Sequence, residues 1–334
     1  MSELKVTETT FERIEAAVPT ENSKSSDHSG WAVLLLAHGA PHRLGDIPEF
    51  LLNVRGGRGL PGKAVQEIID RYAQIGGGSP LLKITTQQAE GLAKALGLPV
   101  YVGMRNWEPY IEDAVRKLTE DGADRVVVVC LAPQNSRTSI GLYRSYLSKA
   151  VDKVAPGLQV EFVENWHNHP GLVAAFRERV SSALARAEAE AGQPVPLIFT
   201  AHSVPVRTIE EGDPYESQVK ETAQLVAQAM GLRDYRVAFQ SQGMTSEPWI
   251  GPTVESLIDE LAGQGHRHVV LAPIGFVSDH VEILYDIDFV FREYGKKKGI
   301  AVVRSESLND STLFTQALVS IVSSRIEIVA GRSL

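Results

Sequence analysis

Cysteine is nearly absent from this chain of 334 residues, which contains only Cys130. A lone cysteine excludes a disulfide within the chain, and it excludes an iron–sulfur cluster held by this chain's cysteines alone. Cys130 lies inside the apolar run VVVVCLAP, where a small buried hydrophobic side chain is its expected role. Redox chemistry at cysteine is therefore not expected.

Long apolar runs and long basic runs are also missing. No apolar stretch approaches the roughly 18 residues needed to cross a bilayer, and residues 1–10 lack the charged-then-apolar pattern of a signal peptide. The formal net charge is −8, without a basic patch to follow a phosphate backbone. We therefore expect a cytoplasmic protein with no stable membrane insertion and no nucleic-acid partner.

The chain alternates between two kinds of segment after a polar beginning. Residues 1–30 contain TENSKSSDHSG and little that could be buried, which predicts a mobile tail. From Trp31 onward, β-rich apolar runs such as RVVVVCLAP (125–133) alternate with helix-patterned segments such as PYIEDAVRKLTEDG (109–122). This alternation predicts an α/β protein with parallel sheets and helices on both faces.

Two stretches of the first half are repeated in the second. LLLAHGAP (34–41) matches IFTAHSVP (198–205), and residues 104–133 match residues 243–273 in the order Glu-Pro, aromatic, helix, Gly, strand, Leu-Ala-Pro. The repeat predicts two similar doubly wound, Rossmann-like halves, 31–190 and 191–334. Ligands of such sheets bind beyond the carboxyl ends of the strands, so we expect a cleft between the halves.

Two histidines occupy equivalent positions in the repeat. His38 and His202 each follow the first strand of a half, so they are expected to face one another across the cleft. A single histidine at a strand end is more often structural, but two at equivalent positions favour function. A neutral imidazole beside a carboxylate can bind a divalent cation or accept a proton.

A carboxylate-rich turn, GFVSDHVEILYD (275–286), follows the buried strand of residues 269–274. Ser278 or Asp279 could cap a helix, and acids suit its first turn. Glu282 and Asp286 are at helical spacing and share a face, which fits a metal site, a proton path or a solvated face. The turn also places Glu282 within reach of His202.

Arginines and glycines cluster in NVRGGRG (53–59) and DRYAQIGGGSP (70–80). Arg55 and Arg71 could bind carboxylate or phosphate groups, and the glycines ending in Ser79 would let backbone amides approach an anion. A Gly-rich turn with solvated arginines explains the same residues equally well. Trp249 is either a core residue or an aromatic wall for a flat apolar ligand.

Several long motifs together resemble the ferrochelatase family. They are FTAHSVP, FQSQGMTSEPWIGP, VVLAPIGFVSDHVEILYD, GMRNWEPYIEDAV and RYAQIGGGSPL, and the resemblance spans residues 33–321. It implies a lyase that inserts Fe(II), as a substrate, into a porphyrin, with no permanently bound cofactor. It also implies His202 and Glu282 as catalytic and metal-binding residues, while the repeat adds His38 as a third candidate catalytic residue. Tyr285 and Asp286 would form a path for protons or metal.

The short polar segment between NVRGGRG and GGGSP resembles the soluble bacterial class of the family, for which coproporphyrin III is the substrate. The resemblance implies that Arg55, Arg71 and Ser79 bind the propionates of this substrate, and Trp249 is expected to bind it as an aromatic wall. His38 occupies a position where many soluble members have Tyr, and Val290 replaces an acid that some members use for an outer metal site.

Other functions remain open at this stage. They are a protoporphyrin IX ferrochelatase, a cobalt or nickel chelatase of the same duplicated fold, and a non-catalytic haem-binding protein. The carboxylate pair counts against the last of these, because a carrier has no use for it. Transient contact with neighbouring enzymes of haem biosynthesis is a further expectation.

Overall fold

The computed structural model describes residues 29–243 and 247–332. Residues 1–28, nearly all of the segment predicted to be a mobile tail, lie outside the described residues. Residues 244–246, within the motif SQGMTSEPWIGP, also lie outside them.

Eight strands form two four-stranded parallel sheets. The first sheet has the order β2-β1-β3-β4, and its strands β1 to β4 are Trp31–Ala37, Val100–Met104, Arg125–Cys130 and Gln159–Val163. The second has the order β6-β5-β7-β8, and its strands β5 to β8 are Leu197–His202, Arg236–Gln240, His268–Pro273 and Ala301–Arg304. The matching strand orders confirm the predicted duplicated α/β fold.

Helices cover both faces of the sheets. In the first half, α1 to α6 are Ile47–Val54, Gly62–Gln74, Leu81–Leu96, Ile111–Glu120, Ile140–Val154 and Pro170–Ala191. In the second half, α7 to α10 are Val206–Glu210, Tyr215–Ala229, Val254–Gly263 and Val281–Leu284. A π-helix at Asp286–Phe291 follows, and α11 and α12 are Arg292–Lys297 and Thr312–Arg332.

The inner strands are apolar because they are covered on both sides. All seven residues of β1 are buried, and five of the six residues of β3 are buried. A parallel strand between two helical layers has no solvent face, so its sequence shows no alternation of polar and apolar residues.

The two halves exchange helices and thereby share one core. Helix α6 packs against β7 of the second sheet, and α12 packs against α3 and β3 of the first. Trp166 stacks on Phe314 with ring centroids 5.9 Å apart, which joins the two halves. Because this core is continuous, it holds the carboxyl ends of both sheets in a fixed relation.

Helix α12 contains an 18-residue segment, Thr312–Val329, that is apolar enough to cross a membrane by length and composition. The sequence expectation that no stretch approaches this length is therefore wrong. The core helix of a globular protein meets the same criterion, and Phe314, Leu318 and Val322 of this helix are fully buried in the core. The helix packs against α3 and α6, and 33% of the apolar segment is buried.

Candidate active site

A cavity of 650 Å³ lies between the halves. His38 follows β1, His202 ends β5, and both side chains line this cavity as the repeat predicted. Its other chemically active residues include Arg71, Arg105, Tyr143, Trp249, His280, Glu282 and Asp286.

The geometry brings His202 and Glu282 together. The Nε2 atom of His202 is 3.6 Å from Oε1 of Glu282, and about a third of each side chain is exposed, 36% and 32%. The Nδ1 atom of His202 bonds to the carbonyl oxygen of Ser203. A carbonyl oxygen only accepts, so Nδ1 carries a proton and Nε2 is the ring nitrogen that faces Glu282.

Glu282 is surrounded by imidazoles. Its Oε2 atom is 3.9 Å from Nε2 of His280, and its backbone oxygen accepts a hydrogen bond of 2.8 Å from Gln240. Burial alone would raise the pKa of Glu282, but the nearby His202, His280 and His38 outweigh burial and lower it. Burial lowers the pKa of His280. Glu282 is therefore an anion beside imidazoles at neutral pH.

Asp286 differs from Glu282 in its electrostatics. The Ser241 hydroxyl donates a hydrogen bond of 2.5 Å to Oδ2 of Asp286. Burial raises the pKa of Asp286 to about 6, and the negative charge of Glu282 adds to the effect. Helix α10 ends at Leu284 and the π-helix begins at Asp286, yet both carboxylates line the same cavity.

The remaining acid of the carboxylate-rich turn, Asp279, is structural. Asp279 accepts hydrogen bonds from Ser307 Oγ at 2.7 Å, Asn309 Nδ2 at 3.0 Å and Arg304 Nη1 at 3.2 Å. His280 occupies the N-cap of α10 without a side-chain cap bond, so the prediction that Ser278 or Asp279 caps this helix is wrong.

The first half contributes a neutral histidine. Burial and, next, the positive charge of Arg105 lower the pKa of His38 to about 4. His38 is nevertheless exposed at the cavity that it lines. The turn depends on Gly39, whose φ is 82° and where an added Cβ would lie 2.7 Å from the backbone nitrogen of Trp107.

Two guanidinium groups reach the cavity. Arg71 lines it and lies 5.5 Å from the ring centroid of Tyr285, and Arg105 lies 5.0 Å from the ring centroid of Tyr143. The buried Nη1 atom of Arg105 has no hydrogen-bond partner among the described residues. A buried guanidinium nitrogen without a partner favours an anionic ligand. Sequence reasoning missed Arg105, although it directly follows β2 at the carboxyl edge of the sheet.

Three predicted residues lie outside the lining of the cavity. Arg55 is exposed at the end of α1, with its Nε donating to the Arg58 carbonyl at 3.1 Å. Ser79 Oγ accepts a bond of 3.3 Å from the backbone nitrogen of Leu81, at the start of α3. The ring of Tyr285 contacts Arg71, which lines the cavity, while Tyr285 itself is not part of the lining.

Trp249 lines the cavity and is half-buried. One part of its side chain therefore packs against the protein, and the other part faces the cavity. Val290 is exposed on the π-helix, and its side chain offers no metal ligand. Among residues 29–243 and 247–332, no group of three or more His, Cys, Asp or Glu side chains is arranged to hold a metal ion.

Two parallel sheets whose carboxyl ends enclose imidazoles, carboxylates and unpaired guanidinium nitrogen define a chelatase architecture. The ferrochelatase family model matches residues 30–326. The chain therefore belongs to the ferrochelatase family, and a porphyrin and iron are its substrates.

Named relatives cover almost the whole chain. A ferrochelatase of Acidobacterium capsulatum is 48% identical over 312 residues, which is 89% of this chain and 94% of that protein. A coproporphyrin III ferrochelatase of Bacillus subtilis is 36% identical over 298 residues, covering 87% of this chain and 96% of that protein. The cobalt complex of the sirohydrochlorin chelatase SirB superposes with a TM-score of 0.58 at 12% identity, covering 90% of this chain and 97% of that one. This last likeness concerns the fold alone.

Proposed function

We propose that the protein inserts Fe(II) into coproporphyrin III to give coproheme, as a lyase of haem biosynthesis. The observation that carries the substrate assignment is the guanidinium group of Arg105, a residue that lines the cavity and whose buried Nη1 atom has no hydrogen-bond partner among the described residues. Arg71 provides a second cation at the same cavity. The similarity to coproporphyrin III ferrochelatases, such as that of Bacillus subtilis, supports the same choice.

The number of carboxylates on the substrate decides how much these cations contribute. A hydrogen bond between an arginine and a carboxylate contributes about 1.5–3 kcal/mol. Coproporphyrin III has four propionates, whereas protoporphyrin IX has two. The two propionates of protoporphyrin IX share one edge of the ring, whereas the four of coproporphyrin III are spread around it and can reach Arg71 and Arg105 even where these lie along different edges.

Iron insertion requires two pyrrole protons to leave. The Nε2 atom of His202 can accept a proton or pass the metal to the macrocycle, and the carboxylate of Glu282, 3.6 Å away, would stabilise the imidazolium that forms. The pKa of Glu282 is lowered and that of Asp286 is raised to about 6. Proton transfer from Glu282 to Asp286 is therefore downhill, and Asp286 then releases the proton at neutral pH.

The iron is held as a substrate rather than as a resident ion. His202 and Glu282 offer two protein ligands, and the pyrrole nitrogens can supply the others as the metal enters. A site with few protein ligands suits transfer, because the ion must leave these ligands for the macrocycle.

The test compares steady-state insertion of Fe(II) into coproporphyrin III and protoporphyrin IX under anaerobic conditions. The proposal predicts a higher kcat/KM for coproporphyrin III and turnover beyond one equivalent. Arg71→Ala should raise KM for coproporphyrin III about 10- to 150-fold, the equivalent of one charge-assisted bond. The matched control is Arg58→Ala, an exposed arginine outside the cavity.

Each alternative gives a different result. A preference for protoporphyrin IX, or equal effects of Arg71→Ala on both substrates, would contradict the substrate assignment and leave the family unaffected. Higher activity with Co(II) or Ni(II) would favour the other chelatases. The absence of a bound cofactor, the cytoplasmic location and transient contact with neighbouring pathway enzymes stay predictions.

A further inference from the structure

Both ring nitrogens of His38 are already engaged by the protein. Nδ1 lies 2.9 Å from the carbonyl oxygen of Gly39, and Nε2 lies 3.0 Å from Nδ2 of Asn106. Asn106 is 3% exposed and is therefore itself fixed in the interior. This arrangement differs from that of His202, whose Nε2 faces a carboxylate rather than a donor.

The orientation of the Asn106 amide follows from its neighbours. The carbonyl oxygen of His38 lies 3.1 Å from Nδ2 of Asn106, and an oxygen at that position would be repelled. The NH₂ group must therefore point toward His38. One of its hydrogens goes to the carbonyl oxygen, and the other goes to Nε2.

The backbone of Asn106 is held as firmly as its side chain. Its nitrogen donates to the carbonyl oxygen of His38 at 3.0 Å, and its own carbonyl accepts from Nδ2 of Asn53 at 3.3 Å. The His38 ring also packs edge-on against Phe50, with centroids 6.2 Å apart. Turning either group away would break several contacts at once.

The tautomer of His38 is thus determined by geometry. The Gly39 carbonyl accepts only, so Nδ1 carries the proton, and Nε2 accepts from Asn106 with its lone pair. A lone pair that accepts a hydrogen bond is not available to bind a metal. The positive charge of Arg105, which disfavours the imidazolium, supports the same neutral form.

We infer that Asn106 is a positioning residue that locks His38 as a neutral imidazole and prevents it from becoming an axial ligand of the metalloporphyrin. The protein ligands left for the iron are then His202 and Glu282 of the second half. His38 presents its ring to the cavity as a wall. A metalloporphyrin with one axial histidine dissociates more readily than one with two. The hydrogen bond from Asn106 to His38 therefore favours release of the product.

The first test needs no porphyrin. Two-bond ¹H–¹⁵N correlation spectra of the full-length protein at pH 7.5 should show His38 as the Nδ1–H tautomer, assigned by loss of its signals in His38→Ala. Asn106→Leu keeps a similar volume and removes the donor. In this variant the ¹⁵N shift of Nε2 should move toward that of an unprotonated imidazole nitrogen that accepts no hydrogen bond. An Nε2–H tautomer or an imidazolium in the native protein would overturn the inference.

The second test measures axial ligation and rests on the proposed function, using ferric coproporphyrin III as the probe. The native complex and His38→Ala should both be high-spin with one histidine ligand in absorption and electron paramagnetic resonance spectra. Asn106→Leu should become low-spin through a second histidine, and Asn106→Leu/His38→Ala should return to high-spin.

Two outcomes would count against the lock. One is a native low-spin spectrum that becomes high-spin in His38→Ala, and the other is an Asn106→Leu complex that stays high-spin. Asn106→Ser, which retains a smaller donor, replaces Asn106→Leu if the latter does not fold. Failure of the native protein to bind the probe would contradict the proposed substrate, while the nitrogen resonances would still decide the tautomer.

Discussion

Arg304 binds Asp279 and Asp288 at the same time. Its Nε donates to Oδ1 of Asp288 at 3.0 Å, and its Nη1 donates to Oδ1 of Asp279 at 3.2 Å. These carboxylates lie on either side of Glu282 and Asp286 in the sequence, and all three members of the ion-pair network are largely buried. Arg304 therefore connects the end of β8 to both ends of the segment that presents the cavity carboxylates.

The first prediction concerns this network. Arg304→Met should lower the free energy of unfolding by about 3–5 kcal/mol, because it removes the cation that pairs with buried Asp279 and leaves Asp288 with the half-exposed Arg292. Urea denaturation followed by circular dichroism measures the loss. The control is Arg116→Ala, which breaks an exposed pair with Glu112 and should cost at most about 1 kcal/mol. Equal losses of unfolding free energy in the two variants would show that Arg304 contributes no more to stability than an exposed ion pair does.

The second prediction concerns His202. His202→Ala should reduce the rate of iron insertion about 10²-fold or more, the usual effect of losing a positioned acid or base. Circular dichroism should show an unchanged fold. His268→Ala serves as the control, since His268 begins β7 at the opposite end of the sheet. Near-normal insertion by His202→Ala would exclude this residue from the mechanism.

The third prediction separates the charge of Glu282 from its volume. Glu282→Gln keeps the size of the side chain and removes its negative charge, so porphyrin binding should survive while kcat falls. Fluorescence quenching of the porphyrin measures Kd, and anaerobic insertion assays measure kcat. Loss of binding together with unfolding would instead make Glu282 a structural residue.

The fourth prediction follows from the raised pKa of Asp286, about 6 against an ordinary 3.8. The folded state holds this proton more tightly than the unfolded state, so the contribution of Asp286 to stability should fall as pH rises from about 4 to 6. Asp286→Asn should therefore be more stable than the native protein by about 3 kcal/mol at pH 8 and by about 1 kcal/mol at pH 4.5.

The same titration should appear in activity. Native insertion should increase as pH rises through about 6, where Asp286 gains the ability to accept a proton, and Asp286→Asn should lack this limb. Stability and rate are measured on the same preparations across pH 4.5–8. A variant less stable than the native protein at pH 8, or one that keeps the activity limb, contradicts the assignment of this pKa to Asp286.

The sequence by itself determined the duplicated fold and the pairing of His202 with Glu282. Buried parallel strands are recognisable because apolar residues fill them without alternation, as in β1 and β3. The repeated strand-end histidines then indicated the cavity, since the carboxyl ends of parallel strands meet at one edge. The apolar strands and the repeated motifs can both be recognised in the order of residues, without knowledge of which residues are in contact.

Only the tertiary structure decided which charges act in the cavity and which support it. Asp279 and Asp286 look alike in the sequence, but Arg304 neutralises the first, whereas burial raises the pKa of the second. The sequence offered Arg55 and Arg71 but not Arg105 as cations, and only Arg71 of these two lines the cavity, because exposure and hydrogen-bond partners are properties of the packed chain. The bond from Asn106 to His38 joins residues far apart in sequence, and such contacts depend on how the sheets and loops pack together.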